Sequence, residues 1–165
     1  MSFLILLLAL LAFSEAIDVA QKGASLLSES REHWFPLIRL LYFYNGLTEL
    51  EKAVNLAPTD LNVRLIRVSA LFEFRDIDYI RQICKEDLEF LIIYNGKKSR
   101  AVFKKFDNII YYMLCVLSIE DREIDKARLY FKKLSELEDD SGYIKLLKMS
   151  YPQIAFKANS DEREK

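Results

Sequence analysis

Gly46-Leu-Thr-Glu-Leu50-Glu-Lys-Ala53-Val-Asn-Leu-Ala57-Pro58 sets a small residue, a large apolar one four positions on, a second small one three further, and a proline five beyond. Offsets of zero, four and seven fall on one face of an α-helix. Small residues there let a neighbouring helix approach closely, the large one interlocks with it, and the ring of Pro58 cannot continue the helix. The reading is a helix over Leu47 to Ala57, opened by a turn at Asn45-Gly46 and packed tightly against a partner. Part of the pattern recurs at Ala127, Phe131 and Leu134, which points to helical hairpins rather than to a catalytic pocket.

Composition agrees with a helical chain. At 165 residues, 52% of them apolar and 13% aromatic, the chain can bury a core and is not disordered, and its length suits one domain. Four glycines and three prolines are too few for the turns of an all-β fold. Lys and Arg number 24 against 25 acids, so no overall field draws the protein to nucleic acid or to an anionic surface.

The N-terminus differs from the rest of the chain. Phe3 to Phe13 is an unbroken apolar run, and Ser14-Glu15-Ala16 then puts small residues at minus three and minus one of a cut after Ala16. This is the pattern of a secretory signal peptide over residues 1–16, with an exported, periplasmic or secreted, mature chain from Ile17. The run carries no Lys or Arg before it, and the other reading is a buried first helix of the fold. Glu15 and Asp18 stop it short of the ~20 apolar residues that span a bilayer.

Further helices come from the same periodicity and capping chemistry. One opens near His33 with Pro36 in its first turn and reaches Tyr44. Thr59 or Asp60 caps the next, in which Leu61, Leu65, Val68 and Phe72 form a stripe. Another spans Tyr79 to Tyr94, closed by Asn95-Gly96. Asn108 to Ile119 is almost wholly apolar, Ile124 to Leu137 is amphipathic with an acidic first turn, and Tyr143 to Met149 makes a short closing helix. The expected fold is all-α, with antiparallel hairpins stacked as a short solenoid. About seven helices in one domain, 17–152, come after the signal segment, and 153–165 is a polar tail.

The small, large, small, proline pattern resembles the second helix of tetratricopeptide repeats. In the C-terminal copy Tyr111, Leu114, Cys115 and Ser118 stand at the family's first-helix positions, ahead of Ala127 and Phe131, and a fainter middle copy runs through Cys84, Leu88, Leu91 and Gly96. Corresponding second helices are 38 residues apart from Gly46 to Cys84 and 43 from Cys84 to Ala127, longer than the family period of about 34. The resemblance covers most of Ser30 to Leu147. It implies a groove that takes a peptide or partner helix, with Tyr112 and Val116 from the last copy and Ser69 and Glu73 from the middle one. Arg39, Arg64 and Arg67 join them on chemistry, since arginine grips carboxylates bidentately; the alternative is that they are solvated or paired with nearby acids and that Tyr112 is core.

Other constellations are thin. The one histidine, His33, has no signalled catalytic partner, and no phosphate loop, nucleophile elbow, zinc or calcium motif occurs, so neither catalysis nor a cofactor or metal is expected. Cys84 and Cys115 form one disulfide in an oxidising compartment or stay inert in apolar helices. Lys97, Lys98, Arg100, Lys104 and Lys105 make the one local basic field. They are either an anion-binding patch for lipid or a solvated helix face, and export removes the chain from most nucleic acid. The functional expectation is an interaction or assembly module with a protein or peptide partner; peripheral docking on anionic lipid through 97–105 is the alternative.

Overall fold

The computed structural model describes residues 3–98, 106–137 and 142–152, with side chains over 14–94, 106–137 and 142–152. Those residues form seven α-helices and no strand: α1 (Phe3–Glu32), α2 (Pro36–Leu56), α3 (Leu61–Leu71), α4 (Asp78–Lys98), α5 (Asp107–Glu120), α6 (Ile124–Leu137) and α7 (Gly142–Ser150). A 3₁₀ turn, Phe72–Phe74, follows α3. The all-α fold of packed helical hairpins is as the sequence predicts. Among the described residues no helix is long and apolar enough to cross a membrane.

Two compact units divide the chain, Met1–Asp87 and Leu88–Lys165. In the first unit, α1 packs along α2 and against α3. The turn expected at Asn45-Gly46 is not formed, because α2 runs unbroken from Pro36 to Leu56 with Gly46 buried at its middle. A Cβ on Gly46 would come within 2.9 Å of the carbonyl oxygen of Gly23 on α1, so this glycine serves helix approach and not chain reversal. Leu50, Ala53 and Ala57 lie on the same buried face. The expected hairpin from His33 to Ala57 is therefore one helix, and its partner is α1. That helix continues straight through Ala16, which is fully buried.

Local chemistry accounts for the ends. Pro36 opens α2 at a position where its missing N–H costs nothing. Asp60, not Thr59, caps α3, its Oδ1 accepting from the backbone N–H of Asn62 at 2.7 Å and of Val63 at 3.3 Å. α4 continues through Asn95-Gly96 to Lys98 instead of closing there.

In the second unit α5 packs against α6 and α7. α5 is buried from Met113 to Ile119, and Ala127, Phe131 and Leu134 of α6 are buried with it. The Cys115 thiol donates to the carbonyl of Ala127 at 3.4 Å, a contact that needs small residues on both sides.

Candidate interaction surface

Among the described side chains of the first unit, the least buried large apolar ones lie at the turn between α1 and α2 and the start of α2. Trp34 is 85% exposed and Leu37 69%, with Phe35, Leu40, Leu41 and Tyr44 also exposed. Leu37, Leu40, Leu41 and Tyr44 follow the i, i+3, i+4, i+7 spacing that makes one helix face. Gly46 lies nine residues from Leu37, two and a half turns, so that face points away from α1. Beyond Tyr44 the same outward face turns polar with Thr48, Lys52 and Asn55, all exposed. The apolar face is thus confined to the tip of the hairpin.

The tip is held by its own backbone and rings. Arg39 points the other way and its Nε donates to the carbonyl of Ser30 at 3.1 Å, capping the end of α1. Ser30 Oγ donates to the carbonyl of Leu27 at 2.7 Å. The backbone N–H of Phe35 donates to His33 Nδ1 at 3.2 Å, and the His33 ring lies 6.0 Å from that of Tyr42. A contiguous apolar surface with Trp and Tyr, anchored on a rigid hairpin, is the composition of an interface centre.

The residues assigned to the groove lie in both units, and within each unit most of them have contacts of their own. Arg67 grips Asp87 with both oxygens, Nε to Oδ2 and Nη2 to Oδ1 at 2.6 Å each, and Arg64 Nη1 reaches Oδ1 at 2.7 Å. Asp87 is fully buried and Arg67 nearly so, so these arginines join α3 to α4 instead of facing a partner. Arg39 caps α1. Val116 is buried, and Tyr112 is half-buried with its ring 5.1 Å from that of Tyr143 on α7. Ser69 is exposed, and Glu73 is exposed in an ion pair with Arg31. Arg64 and Arg67 pair with an acid, as in the alternative weighed for them, while Arg39 is exposed and donates to a backbone carbonyl.

Cys84 and Cys115 are each free and buried, in the first and second unit respectively. Burial pushes both thiols up to about 12, Cys84 with help from the nearby Asp87 carboxylate. Of the basic segment, the side chains of Lys97 and Lys98, and Arg100, Lys104 and Lys105 altogether, lie outside the described residues. Among the described residues no group of three His, Cys, Asp or Glu is placed to hold a metal ion.

The tip was missed by motif spacing because it matches no motif. Its signal was an excess: Leu37-Ile-Arg-Leu-Leu-Tyr-Phe-Tyr44 is apolar nearly all round, whereas a helix that packs on one side needs only one apolar stripe. No protein-family model, curated protein or solved structure matches the chain.

Proposed function

We propose that the protein is an interaction or assembly module whose working surface is the tip of the α1–α2 hairpin, where a partner helix lies along Leu37, Leu40, Leu41 and Tyr44. The observation that carries this reading is that contiguous outward face, with Trp34 and Phe35 beside it. Each of these leucines, already partly buried, contributes about 1–2 kcal/mol as its remaining surface leaves water, so the face favours association. The resemblance of α5 and α6 to a tetratricopeptide hairpin, with Ala127, Phe131 and Leu134 buried, supports the same class of function.

Export fits this reading. A cut after Ala16 leaves residues 17–32 of α1, which still carry the contacts made by Ala20, Gly23 and Leu27 and the cap at Ser30. Affinity capture from the native host with the full chain as bait, beside a Leu37→Glu/Leu41→Glu variant of equal helical content, tests the reading. Specific partners are expected with the wild type alone. Identical recoveries from both baits would remove the tip as the working surface, and the mass of the recovered bait reports whether residues 1–16 are cut away.

A further inference from the structure

We infer that the occupant of the tip is the same face of a second copy, which makes the protein a two-fold homodimer. This rests on the interaction role proposed for the tip and names its partner. Three observations lead there.

Trp34, Phe35, Leu37, Leu40, Leu41 and Tyr44, all exposed, together leave roughly 700 Å² in water. A standard stable interface takes about 800 Å² from each partner. The tip alone therefore supplies nearly the surface that one side of a dimer requires.

The face is also chemically self-matching. Arg39 is the only residue with a charged side chain between Trp34 and Thr48, and, though exposed, it lies on the opposite side of α2 from this face, with its Nε donating to the carbonyl of Ser30. Like meets like with no charge repulsion, and the face offers no charge for an oppositely charged partner to read.

Its pattern closes on itself. An isologous contact needs each residue to meet a mate whose own mate it is. Antiparallel pairing of two α2 helices about an axis between Leu40 and Leu41 sets Leu40 against Leu41 and Leu37 against Tyr44, in both directions at once. Trp34 then lies over the second copy just past Tyr44, before the outward face becomes polar. A lipid surface is the weaker occupant, because Glu29 and Glu32 flank the tip and Arg31 is already paired with Glu73.

Trp34 is the sole tryptophan, so its emission reports this surface alone. Sedimentation velocity of the full chain over a concentration series, with Trp34 emission read on the same samples, is expected to show a monomer–dimer equilibrium and a blue shift that rises together. Leu41→Glu should weaken association about 100-fold, as loss of a central buried anchor does, while helical content stays unchanged. Leu41→Lys should do the same, and an equimolar mixture of the two variants should associate again as a 1:1 pair. A monomer at every concentration, a dimer indifferent to Leu41→Glu, or a blue shift seen only with phosphatidylcholine vesicles would each overturn the homodimer. If the chain is monomeric yet captures a partner that Leu37→Glu/Leu41→Glu loses, the interaction reading survives without the homodimer. If neither occurs, both fall.

Discussion

Gly23 and Gly46 meet where α1 crosses α2, each standing where the other's side chain would have to go. A Cβ added to Gly23 would lie 2.9 Å from the carbonyl oxygen of Gly46 and 3.0 Å from the backbone nitrogen of Leu50. One added to Gly46 would lie 2.9 Å from the carbonyl oxygen of Gly23 and 3.1 Å from the nitrogen of Leu27. Those neighbours are backbone, so relief requires the helices to part. Alanine at either site gains about 1 kcal/mol of helix propensity, yet overpacking costs about 1–3 kcal/mol and Leu27 and Leu50 lose packing as well. Each single alanine is expected to destabilise by about 1–2 kcal/mol in urea unfolding. The double alanine should cost less than the sum, since the first has already separated the helices. A stabilised Gly46→Ala would contradict the close crossing.

Asp87 is the second point on which the first unit depends. Its fully buried carboxylate accepts three hydrogen bonds from Arg64 and Arg67, and asparagine would remove the buried negative charge that both guanidinium groups face. Asp87→Asn is expected to cost about 3–5 kcal/mol, and Arg67→Glu, which sets a second carboxylate beside the first, at least as much. Lys22→Ala is the control. It removes a 2.6 Å pair with Glu49, but Lys22 is well exposed, and the loss should stay below about 1 kcal/mol and shrink in salt. Thermal melts at low and high sodium chloride separate the two cases: the Asp87 effect should persist in salt.

The sequence made the all-α class legible because glycine and proline were scarce and apolar residues recurred at helical spacing. Gly46, Leu50 and Ala53 were correctly placed on one packing face, and so were Ala127, Phe131 and Leu134. What spacing could not decide was the role of a glycine. Asn-Gly is a strong turn signal when water surrounds it, but a glycine facing another glycine across a crossing stays helical, and nothing local separates the two cases. Nor could it pair Arg64 and Arg67 with Asp87, because those contacts span 23 and 20 residues and depend on how α3 meets α4. The apolar tip was invisible for a related reason. Exposure belongs to the packed structure, and Leu37 and Leu50 are alike until α1 takes one side of the helix.

Arg122 adopts a φ of 63°, the left-handed region, between α5 and α6. Its N–H donates to the carbonyl of Ile119 at 3.0 Å, and that of Glu123 donates to Ser118 at 2.8 Å. These two bonds form a Schellman cap, whose left-handed position is usually glycine because other residues pay about 1–2 kcal/mol for that conformation. Arg122→Gly is expected to stabilise the protein by about 0.5–1 kcal/mol, after glycine's greater unfolded-state entropy is subtracted. Arg122→Val, β-branched at the same φ, should destabilise instead. Denaturant midpoints of the two variants should therefore move in opposite directions.

Cys84 and Cys115 make stability depend on alkaline pH. Burial raises both thiols to about 12 in the fold, from an ordinary value near 9. Below about 9 both states keep the protons, and the thiols give stability no pH dependence. Between about 9 and 12 the unfolded chain releases protons that the folded chain retains, so each thiol lowers stability progressively as pH rises. The decline in denaturant midpoint over that window should become shallower in Cys84→Ala and shallower again in the Cys84→Ala/Cys115→Ala pair. With buried, protonated thiols, native protein at pH 8 should react with a disulfide reagent only as fast as it opens, while unfolded protein reacts at once. Rapid labelling of two thiols in the native state would place at least one of these cysteines at the surface, contrary to the structure.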